Sequence, residues 1–289
     1  MSRFFRLPIL LLAIASLFVT LTVSCTPSDP APIQKLTVGV VSYDTGTQSM
    51  EQYQPFKDYL AEQTRTLIEL EPAYNELQAL ERIRSQAWSL VFAPPGLAAI
   101  AIQDAQYLPI FPLQGANNAR SVLAVRDDSP LETLDDLAGN VLALGEPGSA
   151  TGYYLPLYDL YGITLESVQF APTPRTVLQR VQAGEVDAGA LAEEDFLQYR
   201  NEFEDVRFRV VHTSRPIPRG AVLIGPAVDR NQQRLIDEAM RNAPSNIIAD
   251  AGYIPNAPVP TYDQVMRLIE QVRPLDERVR QSPAVLIAE

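Results

Sequence analysis

The two side chains that build most small catalytic and metal sites are nearly missing from these 289 residues, which hold one cysteine and one histidine. The lone thiol, Cys25, has no partner for a disulfide, and no His pair, Cys pair or Asp-x-Asp-x-Asp-Gly loop is available to ligate a metal. A Ser-His-acid triad would have to pass through His212, which no nucleophile motif accompanies. Basic residues are short as well. Lys and Arg number 23 against 35 Asp and Glu, for a net charge of −12, and no basic stripe with interleaved aromatics occurs. Such a field repels polyanions, which excludes nucleic acid as a partner. These absences argue against an enzyme, and no motif asks for a cofactor. What is left is a protein that binds.

Residues 1–24 contain Arg3 and Arg6, no acidic residue, and the mostly apolar run Leu7–Val23. This is the form of a secretory signal, and an uncleaved N-terminal anchor is the alternative. Cys25 stands where the signal would be cut, after Leu21-Thr22-Val23-Ser24. The placement resembles a bacterial lipobox, although Thr22 replaces the usual Leu. It implies lipidation of Cys25, attachment to the membrane through that lipid, and a location on the periplasmic face of the cell membrane. Residues 25–34, with Pro30 and Pro32, read as a short extended tether.

From Lys35 onward, short β-rich runs alternate with helical periods, the signature of an α/β fold with largely parallel strands. Strands are expected at 36–42, 66–70 and 89–93. Helices are expected between them, one carrying Tyr74, Leu77, Leu80 and Ile83 on a single face. A second, similar set begins near Ser121. A helix is expected from Ser129-Pro130 to Gly139, then a strand at 141–144, a strand at 168–170, a helix stopped by Gly184, and a strand at 188–192. The chain returns through Pro216-Ile217-Pro218 to a strand at 221–224 and two amphipathic helices. The expected architecture is therefore two-lobed, with residues 35–121 and 218–289 in lobe 1 and 122–217 in lobe 2. Each lobe has a mixed, mainly parallel sheet flanked by helices, with two hinge crossings over a cleft. Trp88, Tyr107, Tyr153 and Tyr154 are read as core, with lining the cleft as the alternative.

One stretch stands out within this frame. Val141–Pro156 (VLALGEPGSATGYYLP) reads as a strand, a Gly-rich turn and a helix start. Unpaired N–H groups and the helix dipole favour an anion at such a place, Gly148 and Gly152 admit close approach, and Ser149 and Thr151 offer hydroxyls. An ordinary capped turn is the other reading.

Four segments together resemble the substrate-binding proteins of the phosphate/phosphite/phosphonate class of ABC transporters. They are Ser129–Gly139, Gly145–Pro156, Gly184-Glu-Val-Asp-Ala188 and Pro216-Ile217-Pro218. The resemblance implies a two-lobed periplasmic binding fold, a permease partner, and a small anionic ligand held by Ser149 and Thr151 and by Tyr43 on the loop after the first strand. It places Gly148, Ala150 and Gly152 in the binding loop. Ala150 stands where the family often has a third hydroxyl. A cleft tyrosine is replaced by the run Ala93–Leu97, and the expected histidine is missing, with Arg175 one step beyond its place. Glu193, followed by Glu194 and Asp195, falls where the family sets residues that choose the ligand's far end; carboxylates there suit an amine or a polyol. An accessory or sensory lipoprotein with the same fold is the alternative to a transporter component.

Overall fold

The computed structural model describes residues 35–43, 48–115 and 118–287. Cys25, the signal segment and the tether lie outside them. The first α/β half comprises β1 (Lys35–Val41), α1 (Gln54–Thr64), β2 (Leu67–Ala73), α2 (Glu76–Arg84), β3 (Leu90–Ala93), α3 (Pro95–Ala105) and β4 (Leu108–Pro112). After the two-residue β5 (Asn118–Ala119) come β6 (Ser121–Arg126), β7 (Val141–Leu144), a π-helical turn at Ala150–Tyr154 that continues into α4 (Leu155–Asp159), β8 (Thr164–Leu165), β9 (Ser167–Phe170), α5 (Pro174–Ala183), β10 (Ala188–Ala192), α6 (Glu193–Tyr199) and β11 (Phe208–Thr213). The chain returns through β12 (Ile217–Pro218) to β13 (Ala221–Ile224), then α7 (Arg230–Arg241), α8 (Ser245–Ala251), α9 (Asp263–Val272) and β14 (Ala284–Val285).

Two five-stranded sheets result, ordered β2-β1-β3-β13-β4 and β11-β6-β10-β7-β9. In each, four strands run in one direction and one runs against them: β13 in the first sheet and β6 in the second. This is the expected two-lobed, mixed architecture. The crossings between the sheets pair with each other, Ile217 opposite Ala119 and Pro218 opposite Asn118. Ser214 pins the junction: its hydroxyl accepts from the Ser121 N–H at 2.8 Å, and its carbonyl accepts from Arg120 Nη1 at 2.8 Å.

Burial follows from the sheets having two apolar faces each. Leu36, Val38, Phe56, Phe92, Phe111 and Tyr253 pack on one side of the first sheet, and Val122, Ala143, Val177 and Phe196 on one side of the second. The largest cluster runs continuously from Trp88 and Leu97 through Leu123 and Leu142 to Tyr153 and Leu268, so the halves share a core. Trp88, Tyr107, Tyr153 and Tyr154 are all buried in it, as expected. The indole of Trp88 is seated on Gly39, where a Cβ would come within 2.1 Å of the ring.

Three expectations need correction. The helix expected from Ser129 to Gly139 is only a 3₁₀ turn at Asp135–Leu137. Asp136 Oδ2 accepts from the N–H groups of Glu132 and Thr133, and Arg209 Nη2 donates to the carbonyls of Ser129 and Leu131, so side chains take the backbone groups a helix would use. On α2 the buried stripe is Glu76, Ala79, Leu80 and Ile83, while Leu77 is exposed and Tyr74 precedes the helix. The Asn75 side chain accepts from the Gln78 N–H and so fixes the helix start, which turns Glu76 inward. Last, the end of the chain does not stay with the first half: α9 packs against α3 and α4, and β14 pairs with β8.

Candidate functional site

β7 ends in a Gly-rich turn because the backbone must reverse beneath two packed elements. Gly148 has φ +113°, and a Cβ there would lie 3.0 Å from the Glu76 Cβ and 3.1 Å from Leu97. Ser149 then caps the following helix: its Oγ accepts from the Gly152 N–H at 3.0 Å, and its carbonyl accepts from the N–H groups of Tyr153 and Tyr154. This loop docks on the first half at Gly96, where a Cβ would meet the Gly148 carbonyl oxygen at 2.2 Å and the Ala150 nitrogen at 2.6 Å. Backbone touches backbone across the cleft.

Beside that contact is a cavity of about 20 Å³, lined from the first half by Tyr43 and Glu76 and from the second by Gly145, Ser149, Thr151, Gly152, Thr173, Pro174 and Asp195 among others. Four helix starts meet there. Glu76 opens α2, Ser149 and Thr151 open the π-turn and α4, Thr173 caps α5 through its hydroxyl, and Asp195 lies in the first turn of α6. Each start contributes a fraction of a positive charge, although capping side chains already take part of its N–H groups. The lining contains no Lys, Arg or His.

Two groups in the wall are electrostatically displaced. Tyr43 Oη donates to Glu76 Oε1 at 2.9 Å. Burial, together with the Glu76 and Asp195 carboxylates, holds the Tyr43 phenol well above the usual tyrosine value. Glu76 is only 4% exposed, and its carboxyl is pushed up to about 7, chiefly by burial; hydrogen bonds from Tyr43 and Ser149 oppose the rise and Glu146 adds to it. Glu146 is itself raised by burial, and its Oε2 is buried with no hydrogen-bond partner. Behind the wall, Tyr153 Oη donates to Asp276 Oδ1 at 2.7 Å, and the Thr151 carbonyl accepts from Ser121 Oγ at the crossing.

The expected residues divide. Tyr43, Ser149, Thr151 and Gly152 come together on the cavity wall. Gly148 and Ala150 do not line it; they support it from beneath, Ala150 being 3% exposed within the core. Arg175 is exposed on α5, off the wall, with its Nε donating to Glu202 Oε2 at 2.7 Å. Glu193 is also exposed and off the wall, and Asp195, two residues on, faces the cavity instead. Glu76 and Thr173 were not anticipated. The available signal for Glu76 was its place in the 76-79-80-83 apolar phase that Asn75 sets. Among the described residues no cluster of His, Cys, Asp and Glu is arranged to hold a metal ion, and no helix is long and apolar enough to cross a membrane.

No curated protein matches the sequence. Among solved structures, the chain is similar to a Xanthomonas citri protein bound to ATP, at 21% identity and TM-score 0.69 over 83% of this chain and 98% of that one. It is similar to the PhnD1 protein of Prochlorococcus marinus in complex with methylphosphonate, at 16% identity and TM-score 0.69 over 83% and 98%. A binding protein component of an ABC phosphonate transporter from Pseudomonas aeruginosa matches at 16% identity and TM-score 0.68 over 86% and 88%. At these identities the likeness is one of fold. The family model described as "ABC transporter, phosphonate, periplasmic substrate-binding protein" matches residues 38–255, a span that takes in both sheets, the paired crossings and the cavity wall, and the chain belongs to that family.

Proposed function

We propose that this chain captures a small oxyanion of the phosphonate, phosphite or phosphate class in the cleft between its halves and delivers it to an ABC permease without altering it chemically. The observation that carries the reading is the convergence of four helix starts on one cavity that also presents the hydroxyls of Tyr43, Ser149, Thr151 and Thr173. Their dipoles supply the attraction that no lysine or arginine supplies there. Asp195, on the same wall, suits a hydrogen-bond donor at the far end of the ligand. With about 20 Å³ free, the cavity has room for about one water molecule, so loading requires the walls to part, and the paired crossings at 118–119 and 217–218 are the place for that motion. A lipid on Cys25, followed by the proline-bearing tether, would keep the protein at the outer face of the membrane within reach of its permease.

Isothermal calorimetry with phosphate, phosphite, methylphosphonate and 2-aminoethylphosphonate tests the reading. At least one is expected to bind with a Kd well below about 1 mM, the level that corresponds to about −4 kcal/mol. Failure of all four to reach that level would remove the phosphorus ligand class and leave the fold assignment in place.

A further inference from the structure

A site for an anion that contains a buried carboxylate and no cation calls for an explanation. Glu76 is placed by Asn75 at the first position of α2, is 4% exposed, and faces the same small cavity as Ser149, Thr151 and Tyr43. Its side-chain hydrogen bonds come from neutral groups, the Tyr43 hydroxyl at 2.9 Å and Ser149. The other titratable groups facing this region are Glu146 on the turn after β7, Asp195 and Tyr199 on α6, and Tyr43 itself. The elements packed against α2 are β1, β2 and α3. Their charges are engaged elsewhere: Lys35 with Glu69 at 2.7 Å, Glu71 with Arg82 of α2 at 2.6 Å, and Asp104 with Arg273 at 3.7 Å. Among the described residues no cation is therefore placed to neutralise Glu76 when a ligand enters. Two negative groups enclosed in one small, poorly hydrated cavity do not both stay ionised.

Resting on the oxyanion reading above, we propose that Glu76 binds the ligand as a neutral carboxylic acid, so that capture of the oxyanion takes up one proton from solvent and Glu76 serves as a hydrogen-bond donor to it. Tyr43 Oη, which donates to Glu76 in this structure, is then free to turn its hydroxyl to the ligand as well. Burial, the largest cause, has already brought the carboxyl up to about 7, so the empty site is poised between its two protonation states near neutral pH. A ligand anion completes the shift. Affinity is highest below that pH and falls as the proton becomes harder to supply, by about tenfold per pH unit once Glu76 is ionised in the empty protein. Selectivity follows as well: a ligand that presents a negative charge to Glu76 is retained with the proton, and release is favoured in a more alkaline compartment.

The test is calorimetric titration of the full chain and of Glu76→Gln with methylphosphonate between pH 6 and pH 9, each point in two buffers of different ionisation enthalpy. The second ionisation of methylphosphonate contributes to both proteins and cancels in the difference between them. Close to one additional proton taken up by the wild type above pH 7, with a Kd that rises more steeply with pH than that of Glu76→Gln, is the expected result. Independently of any variant, the carboxyl carbon of Glu76 in ¹³C-glutamate-labelled protein is expected to titrate at higher pH when methylphosphonate is bound. Equal proton counts and parallel pH profiles in the two proteins, with binding intact, would overturn the role of Glu76 and leave the oxyanion reading standing. Loss of binding in a folded Glu76→Gln, with wild-type preference for 2-aminoethylphosphonate over methylphosphonate, would overturn it in favour of an ionised Glu76 that accepts an ammonium group. Failure of both proteins to bind any phosphorus oxyanion across the range would remove both readings together.

Discussion

In the first half of the molecule β3 leaves its sheet through Pro94-Pro95-Gly96 and enters α3. In the second half β7 leaves through residues 145–149 and enters the helix at Ala150. Both are strand-to-helix turns at the carboxyl end of a sheet, a usual position for a ligand site. Their chemistry nevertheless differs. The first has no capping side chain and buries the run Gly96 through Ala101 of α3. The second is capped by a serine and keeps Ser149 and Thr151 on a cavity. The first half instead contributes its polar groups from elsewhere, Tyr43 after β1 and Glu76 at the start of α2. A repeated supersecondary unit thus yields one wall of hydroxyls and helix starts, and an opposite wall made of a phenol, a carboxyl and a backbone docking point. The same turn serves as a binding element or as a packing element according to whether its first helical residues are hydroxylated or apolar.

The sharpest way to break this contrast is to strip the hydroxyls from the second wall. Ser149→Ala combined with Thr151→Ala is expected to weaken methylphosphonate binding by about 2 to 4 kcal/mol in calorimetry. Because Ser149 also caps its helix, the same change should lower stability by about 1 kcal/mol in urea unfolding; unchanged affinity would move the site away from this wall. On the opposite wall, Gly96→Ala forces a methyl group into the Gly148 and Ala150 backbone, with an expected loss of about 2 to 3 kcal/mol of stability. A wild-type unfolding midpoint in that variant would mean that the halves are not in backbone contact.

Glu76 distinguishes the walls by pH. Its folded carboxyl titrates at about 7 against an ordinary value of 4.5, so between those values the native chain holds a proton that the unfolded chain has lost. Stability then falls as pH rises through that window, by about 2 to 3 kcal/mol from pH 5 to pH 8, and Glu76→Gln removes that portion of the slope. Urea midpoints measured across the range check this, and parallel slopes in the two proteins would contradict it. Tyr43→Phe deletes one hydroxyl and is expected to weaken ligand binding by about 1 kcal/mol. Arg175→Ala is the smallest change: its guanidinium pairs with Glu202 off the cavity wall, so affinity should move by less than about 0.5 kcal/mol. A tenfold loss there would return Arg175 to the site.

Much of this organisation was legible in the chain because it is local. Seven expected strands form within a few residues of their expected bounds, since β-rich runs between Gly, Pro and helical periods leave little choice. The edge strands β4 and β11 were missed. β4 carries Pro109 and Pro112, which a central strand would not tolerate and an edge strand does. The binding turn was readable from its glycines and hydroxyls. Glu76 was masked by the phase of its own helix, because the run Tyr74, Leu77, Leu80, Ile83 looked like the inner face until Asn75 set the start. Asp195 and Glu193 differ by two positions, yet the helical rotation at the start of α6 puts one on the cavity and the other in solvent.

The order of residues by itself determined the two α/β halves, the two crossing segments and a glycine-flanked helix start with hydroxyls, because each depends on periodicity and turn chemistry within some ten neighbouring residues. Only the tertiary structure decided that four helix starts meet at one cavity, that Arg175 stays outside it, and that a buried carboxylate stands inside it without a cation. Those outcomes depend on how distant segments are rotated and stacked against a shared core, and burial, which sets the proton affinity of Glu76, exists only once that core has formed.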